Sequence, residues 1–415
     1  MEVVSLQASK KGKVEMKSSG STSEQSRIYN ERIILQLVRQ HPEISRIEIA
    51  KRTGLSAQTI SVITSSLLDR ELLCVVGKVT GRRGQPSIKL SINQQGAYGL
   101  GINVDRNHIS AALLDFSGAQ VLLLEREVSF PTESSAKSIA RDVIEEVKQK
   151  LGQDWLKVKG IGLAKPDYMD SWLDSLVTNS DQRSDLDTLK AALAYWQSSA
   201  FETWLAEVTS LSCFCQNDAA AAATSELLLA PKAPSKDFFY LFVSTACGGS
   251  LVANGECYFG ANGKAGSFGL IPTATGKHGQ WVLEALSLSS LHRYLMAKEL
   301  AWPRQDCGWL EASYCMAIEN WAWEVAEEVK AALVSVIALY DPQVILIGGR
   351  LPEVVLTQLI MALRRAVLAN IVLPMPDIQI AQTGYTAGVL GAAVLPLYET
   401  FAPQQNVLLL SSKGL

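Results

Sequence analysis

Two adjacent arginines, Arg82 and Arg83, form a basic turn between two glycines, and Gln85 follows them. Guanidinium groups on a loop tip bind phosphates or enter a DNA minor groove, and a carboxamide both donates and accepts hydrogen bonds. These residues therefore predict contact with nucleic acid. The alternative is that they are solvated surface residues.

A second group of residues begins directly after Gly54, where small and polar side chains form the predicted first turn of a helix. Such side chains, on the first turn of a recognition helix, can hydrogen-bond base edges in the major groove. The candidate DNA contacts in this turn are Ser56, Ala57, Gln58, Thr59 and Ser61.

A different chemistry is predicted for Asn217 and Asp218. A carboxylate beside a carboxamide hydrogen-bonds the vicinal hydroxyls of a sugar or polyol without any catalytic step. The same pair can cap the alanine-rich helix predicted at 219–229, and the two roles are compatible. Lys165 and Asp167, at the end of a predicted strand, are candidate selectivity residues for that ligand, with simple loop charges as the alternative.

The helices and strands that carry the two groups of candidate DNA contacts lie between residues 27 and 95. Helix one carries apolar residues at helical spacing and stops before Pro42, because the residue before a proline avoids helical geometry. Ser45 and Glu48 form a capping box for helix two, which ends at Gly54.

Helix three carries a predicted buried stripe, and two β-rich segments follow it as the strands of a wing. The polar residues of this helix, Thr64 among them, are expected to face solvent. The order of elements predicts a winged helix-turn-helix DNA-binding domain over residues 27–95. The stripe consists of Ile60, Ile63, Leu67 and Leu68, and the strands are Leu73 to Val76 and Ser87 to Ile92.

The charge of the chain divides along the same boundary. Residues 1–95 carry 15 Lys and Arg against 8 Asp and Glu, whereas residues 96–415 carry 23 against 33. A basic N-terminal part joined to an acidic remainder indicates a polyanion-binding module followed by a domain with another role. Residues 1–26, with seven Ser, four Lys and no apolar periodicity, are predicted to be a disordered tail.

Composition excludes several classes of protein. With 48% hydrophobic and 19% charged residues, the 415-residue chain can bury a large core and is not disordered as a whole. No apolar run approaches the ~18 to 20 residues of a membrane span, so we expect a cytoplasmic protein without a membrane partner. The seven cysteines are odd in number and scattered, so neither a disulfide framework nor a zinc site is expected.

After about residue 96 the sequence alternates strands and helices in two similar halves. This alternation predicts an α/β architecture of two lobes with a cleft between them. Four tryptophans of the first half are expected to pack in the lobe, with stacking of one ring on a sugar as the alternative. They are Trp155, Trp172, Trp196 and Trp204.

Five segments of this larger part match a known family in order: GIGLAKPD (160–167), CQNDAAAAATSELL (215–228), VSTACGGSLVANGECYFGANGKAGSFG (243–269), DPQVILIGG (341–349) and AGVLGAAVL (387–395). They resemble the ROK family, which is named for its repressors, open reading frames and sugar kinases. The resemblance covers nearly the whole chain, and the N-terminal winged helix is similar to the repressor branch.

The resemblance implies an actin-like, sugar-kinase-like (ribonuclease H-like) fold for residues 96–415, with an effector bound between two lobes and a role in dimerisation. Lobe one is expected at about 96–214 plus 386–415, and lobe two at about 215–385.

The ROK resemblance includes kinases and regulators, and the phosphate loops separate the two. Where the family kinases have glycines in the first loop, this chain has Asn103, Asp105, Arg106 and Asn107, and the Asp105 carboxylate would repel a phosphate. The second loop, at 244–249, keeps only half of the kinase pattern. We therefore expect a kinase-like domain without catalytic activity.

The resemblance matches Asn217 to a sugar-hydroxyl ligand and Asp218 to the kinase base. Ser267 and Leu270 stand where hexose-binding members have a glutamate and a histidine, and the loop that holds zinc in the family has no cysteine here. Ser267 is thus a further candidate ligand contact, and no metal or cofactor is expected. The expected effector is a different sugar, a polyol or a derivative, with a vestigial site as the alternative.

Together these observations predict a sequence-specific transcriptional regulator, a repressor of carbohydrate-related genes that responds to a sugar or polyol effector. Its partner is an operator in double-stranded DNA, and symmetric half-sites require a homodimer or a dimer of dimers. The alternatives are a sugar kinase with an appended DNA-binding arm and a regulator that answers to a partner protein.

Overall fold

The structure is a computed structural model that describes residues 23–79, 87–128, 130–167, 186–232, 235–303 and 306–403. The described residues form two compact units, one within 1–69, 73–91 and 401–415 and the other within 70–72 and 92–400. No helix among the described residues is both long and apolar enough to cross a bilayer.

The described residues of the first unit include three helices and a small sheet. The helices are α1 (Ser23–Gln40), α2 (Arg46–Thr53) and α3 (Ala57–Asp69). The strands, in the order β1-β3-β2, are β1 (Ile44–Ser45), β2 (Leu73–Val79) and β3 (Ser87–Ile92). The buried apolar side chains include Ile34, Leu35, Val38, Ile49, Ile60, Ile63, Leu67 and Leu90.

Local signals in the sequence set the ends of α2. The Ser45 hydroxyl accepts a hydrogen bond from the Glu48 amide at 3.3 Å, and the Glu48 carboxylate accepts one from the Ser45 amide at 2.9 Å. Gly54 ends the helix in the left-handed region at φ 72°, and its amide donates to the Ala50 carbonyl. The predicted capping box and glycine stop are both confirmed.

Three details of this unit differ from the sequence prediction. Helix α1 begins at Ser23, so 23–26 are helical and not part of a tail; residues 1–22 lie outside the described residues. The prediction that Thr64 faces solvent is wrong: its side chain is buried, and its hydroxyl donates to the Ile60 carbonyl at 2.7 Å. A hydroxyl satisfied within its own helix can enter an apolar core. Strand β1 was not predicted.

The second unit contains two five-stranded mixed sheets. The first, in the order β6-β5-β4-β7-β8, consists of β4 (Tyr98–Asp105), β5 (His108–Asp115), β6 (Gln120–Glu127), β7 (Val158–Lys165) and β8 (Cys213–Asn217). The second, in the order β11-β10-β9-β12-β13, consists of β9 (Phe238–Val243), β10 (Cys247–Ala253), β11 (Glu256–Tyr258), β12 (Val344–Gly349) and β13 (Asp377–Ile380).

The two sheets share one topology, in which three antiparallel strands are followed by two parallel ones. This repetition confirms the two-lobed α/β fold. The lobe boundary proposed at about residue 215 falls inside β8, which pairs with β7 in the first sheet.

Nine helices of this part of the chain are described around the two sheets. They are α4 (Glu133–Leu151), α5 (Leu186–Gln197), α6 (Ala200–Thr209), α7 (Asp218–Leu229), α8 (Val282–Ala285), α9 (Leu288–Ala297), α10 (Ala312–Tyr340), α11 (Glu353–Leu368) and α12 (Ala387–Phe401).

Glycines allow α12 to lie directly on the first sheet. A Cβ atom on Gly162 would overlap the carbonyl oxygen of Ala392, and one on Gly391 would overlap that of Ala221 in α7. The close approach of backbones explains why the strand at 160–164 and the start of α12 are rich in glycine.

A buried carboxylate anchors the loop between the second sheet and α8. The Glu328 carboxylate in α10 accepts hydrogen bonds from the amides of Thr275 at 2.9 Å and Gly276 at 3.2 Å, and from the Thr275 hydroxyl. Burial opposes ionisation, but these hydrogen bonds outweigh it and hold the pKa of Glu328 below its usual value. The described residues contain no group of three or more His, Cys, Asp and Glu side chains that could hold a metal ion.

Candidate functional site

The first candidate surface is the N-terminal turn of α3. Ser56 caps this helix, because its hydroxyl accepts from the Thr59 amide at 3.1 Å. The side chains of Ala57, Gln58 and Ser61 are exposed, whereas Thr59 is half-buried and its hydroxyl is 2.9 Å from that of Ser56. The structure thus brings the five predicted recognition residues together on one end of α3.

The exposed face of α3 continues beyond the predicted residues. Val62 is 59% exposed, and Ser65 is exposed one turn further on. Both follow Gln58 at helical spacing, four and seven residues later, so they share its face. Sequence reasoning missed them, although the i, i+4, i+7 spacing from Gln58 is a signal that could have found them.

The predicted wing is described only at its strands. Strands β2 and β3 flank residues 80–86, and Arg82, Arg83 and Gln85 lie outside the described residues. Their contact with DNA remains a prediction.

The second candidate site is a pocket within the second unit, between its two sheets. Its cavity volume is about 60 Å³, and the space rises to about 720 Å³ when the open mouth is included. Of the predicted ligand residues, Asp167, Asn217, Asp218 and Ser267 line it. Residues from distant parts of the sequence meet here because β7 and β8 end beside the start of β10.

Asn217 and Asp218 both cap α7 and face the pocket. The Ala219 amide donates to Asn217 Oδ1 at 3.0 Å and to Asp218 Oδ1 at 2.8 Å. Burial, together with the charge of Asp105, raises the pKa of Asp218 to about 7. Near neutral pH this carboxyl group therefore exists in both forms, and the protonated form can donate a hydrogen bond to a ligand hydroxyl.

Lys165 and Asp167 have different surroundings although they are two residues apart. The Lys165 ammonium pairs with Glu202 at 2.7 Å and donates to the carbonyls of Trp196 and Ser198 at the end of α5. It does not line the pocket. Asp167 does, and it pairs with Lys264 of the second lobe at 2.9 Å.

Aromatic side chains at the pocket come from residues that sequence reasoning did not select. Tyr258 and Phe259 line the pocket and are 53% and 42% exposed. Trp155, Trp196 and Trp204 pack with the apolar core of the first lobe, and Trp172 lies outside the described residues.

The positions matched to the first phosphate loop take part in contacts between the lobes. Arg350, directly after β12, donates to Asn107 Oδ1 at 2.9 Å and lies 3.6 Å from the Asp105 carboxylate. The Thr245 hydroxyl lies 3.5 Å from the same Asn107 oxygen. Asn107, Thr245 and Arg350 border an open cleft that also includes Gly348 and Gly349.

Comparison with protein families gives two matches. The ROK family matches residues 99–398, and the winged helix-turn-helix DNA-binding family matches residues 29–73. The chain belongs to the ROK family.

Relatives of this ROK chain include a repressor. The xylose repressor of Bacillus subtilis (strain 168) is 23% identical over 335 residues, which cover 78% of this chain and 83% of the repressor.

Solved structures with the same fold include both regulators and kinases. A ROK family transcriptional regulator, described as a homologue of the E. coli MLC protein, aligns with a TM-score of 0.67 at 20% identity over 92% of this chain and 99% of that one. The ROK hexokinase from Thermus thermophilus aligns with a TM-score of 0.51 at 24% identity over 73% and 98% of the two chains. At these identities the likeness shows the fold, and the residues of the two sites must decide between the functions.

Proposed function

We propose that this ROK-family protein is a transcriptional repressor of carbohydrate-related genes. A sugar or polyol effector, bound between the lobes, controls its affinity for operator DNA. The observation that carries the proposal is the presence, in one chain, of a winged helix with an exposed polar recognition turn and a pocket lined by Asn217 and Asp218.

The DNA-binding half of the proposal rests on the face of α3. Gln58 offers a carboxamide, the group that pairs with adenine in the major groove, and Ser61 offers a hydroxyl. The excess of Lys and Arg over Asp and Glu in residues 1–95 supplies attraction to the phosphate backbone. Arg82, Arg83 and Gln85 of the wing are the proposed backbone or minor-groove contacts.

The effector half rests on the pocket and on the relatives of the chain. Asn217, Asp218 and Asp167 present amide and carboxyl groups of the kind that bind vicinal hydroxyls. The similarity to a xylose repressor favours a saccharide over other polar ligands. A coupling free energy of about 1–3 kcal/mol between effector and DNA is enough to release an operator.

The proposal includes the absence of kinase activity. Arg350 contacts both Asp105 and Asn107 where the kinases of the family bind phosphates, and the Asp105 carboxylate repels an anion. The alternative is a sugar kinase with a DNA-binding arm, which the buried Asp218 at the position of the kinase base favours. Release of ADP that depends on sugar and is lost in Asp218→Asn would establish the kinase.

We further propose that the protein acts as a homodimer or a dimer of dimers. A single recognition helix reads only a few base pairs, and two-fold symmetric half-sites about one helical turn apart are read by two. Sedimentation of the full chain on operator DNA measures this stoichiometry directly.

The proposal is tested by selecting operators from genomic fragments with the full chain and then titrating the best fragment at fixed salt. We expect specific binding that changes when a sugar or polyol raises the melting temperature of the protein. Absence of sequence-specific binding would overturn the proposal. Specific binding that no saccharide changes would instead support control by a partner protein.

A further inference from the structure

The effector pocket has a side lined by carboxyl and amide groups and, separate from it, an apolar patch. Its polar side chains come from the ends of β7 and β8, where Asp167, Asn217 and Asp218 lie. Cys247 and Leu270 line it from the second lobe. The second lobe also contributes Ser244, Ser250 and Ser267 to the lining, so the apolar part is a patch of that lobe and not the whole of it.

The residues of the apolar patch lie around Gly269. A Cβ atom on Gly269 would overlap the carbonyl oxygen of Cys247 and lie 3.1 Å from Cβ of Leu283, so the lack of a side chain at Gly269 lets both residues approach it. Leu283 and Leu270 both line the pocket, and neither is fully buried. A ligand hydroxyl that faced Cys247, Leu270 and Leu283 would find no carboxyl, amide or hydroxyl group among these three side chains, and the serines Ser244 and Ser250 of the same lobe are each only 3% exposed.

The Ser267 hydroxyl, three residues before Leu270, is already engaged as a hydrogen-bond donor. It donates to the Lys264 carbonyl at 2.9 Å. On the polar side, by contrast, Nδ2 of Asn217 and Oδ2 of Asp218 have no hydrogen-bond partner among the described residues. Asn217 and Asp218 therefore carry hydrogen-bonding atoms that remain available for ligand hydroxyls.

Two aromatic rings stand at the rim of the same pocket. Tyr258 and Phe259 end the β10–β11 hairpin and keep about half of their surface exposed. Aromatic rings offer apolar faces that cover the C–H face of a sugar ring or an aglycone. Large exposed rings beside a polar pocket indicate a ligand with an apolar part.

We propose that this pocket selects a saccharide that carries an apolar group in place of a free hydroxyl. Its vicinal hydroxyls bind Asn217 and Asp218, and its apolar group lies against Cys247, Leu270 and Leu283. The inference rests on the proposed function and specifies its effector class. Two kinds of compound have this chemistry, deoxy sugars and alkyl or aryl glycosides.

The test compares matched pairs of ligands by calorimetry with the full chain. Each pair joins a parent hexose (glucose, galactose or mannose) to its 6-deoxy analogue in one arm and to its phenyl glycoside in the other. We expect at least one analogue to bind about 10-fold or more tightly than its parent, the discrimination that one apolar group provides. The arm in which this occurs identifies the kind of compound.

Three variants locate the discrimination. Leu270→Asn and the isosteric Cys247→Ser place a polar group on the apolar patch and should reduce the preference to within about 3-fold, whereas Leu339→Asn, on an exposed leucine of α10, should leave it unchanged. Cys247→Ser changes almost no volume, so it keeps the test valid if Leu270→Asn fails to fold.

Two results would overturn the inference. In the first, every parent sugar binds as tightly as its analogues, or the preference for an analogue persists in both Leu270→Asn and Cys247→Ser. If the sugars that bind also change operator affinity, the proposed function stands without the inference. In the second, no saccharide binds while operator DNA does, and then control by a saccharide fails together with the inference.

Discussion

Arg350 and Asn107 connect the two lobes of the larger unit through a 2.9 Å hydrogen bond from the guanidinium to the side-chain carbonyl. Asp105 lies 3.6 Å from the same guanidinium, so the contact is partly an ion pair. Side chains of the protein thus occupy the region that the ROK resemblance assigns to nucleotide phosphates. A contact between lobes at this place can hold one lobe arrangement, as a regulator that switches between two arrangements requires.

Removal of the Arg350 side chain should loosen the lobes. Arg350→Ala deletes the hydrogen bond to Asn107 and removes the cation that pairs with buried Asp105 from the other lobe, which favours separation of the lobes. We expect faster amide exchange at residues 105–108 and 244–246. Arg364→Ala, which deletes an exposed ion pair with Asp377, is the control. Equal exchange in the two variants would contradict a role of Arg350 between the lobes.

Asp218 should make stability depend on pH. Its pKa is about 7 in the folded protein and about 3.9 in an unfolded chain. At a pH between these two pKa values the folded state binds a proton that the unfolded state lacks, so the free energy of unfolding falls as pH rises from about 4 to 7. Asp218→Asn removes this loss. The variant should therefore gain melting temperature relative to the wild type between pH 5 and pH 8, whereas exposed Asp377→Asn should not. A constant difference across this pH range would show that burial does not perturb Asp218.

Val62 should contribute to base recognition if α3 enters the major groove. Its methyl groups can contact only one base feature there, the methyl group of thymine. Val62→Ala should weaken operator binding. Uracil in place of the contacted thymine should weaken operator binding by the wild type, but it should not weaken binding by Val62→Ala any further. Val75→Ala, at an equally exposed valine of β2, is the matched control. If the losses of operator affinity from Val62→Ala and from uracil are additive at every thymine of the site, Val62 does not contact a thymine methyl group.

The wing arginines should contribute mainly electrostatic binding. Replacement of both Arg82 and Arg83 by Ala should weaken operator binding and reduce the slope of log affinity against log salt by up to about two. The measurement is a titration of operator DNA at several salt concentrations. An unchanged affinity and slope would remove the wing from the binding surface.

The capping box of α2 should stabilise the winged helix. Ser45→Ala removes the hydroxyl that accepts from the Glu48 amide, at a cost of about 1 kcal/mol. Chemical denaturation of the full chain, followed by a probe in the first unit, measures this free energy. Ser61→Ala, at an exposed position within α3, should cost far less. Equal costs would mean that the cap contributes nothing beyond helix propensity.

Local sequence signals predicted much of the fold but only part of the site. The Ser45–Glu48 box and Gly54 depend on neighbours within a few residues, so their structure could be read from the chain. Thr64 could not be placed, because the hydrogen bond that allows its burial forms only inside the finished helix.

The site residues divide in the same way. Asn217 and Asp218 were found because adjacent polar groups before an alanine-rich segment are distinctive. Lys165 is held by Glu202, and Arg350 reaches Asn107 across 243 positions of sequence, so only the folded chain brings these pairs together. Tyr258 and Phe259 also needed the fold, since aromatic residues in a strand usually belong to a core.

The central claim is that ligand at Asn217 changes DNA binding by the winged helix. Fluorescence anisotropy of labelled operator, with and without the saccharide that binds the pocket, measures this coupling in the wild type and in Asn217→Ala. We predict that the saccharide changes wild-type operator affinity by about 5- to 150-fold and leaves that of the variant unchanged. Equal operator affinity of the wild-type protein with and without a saturating saccharide would contradict the account.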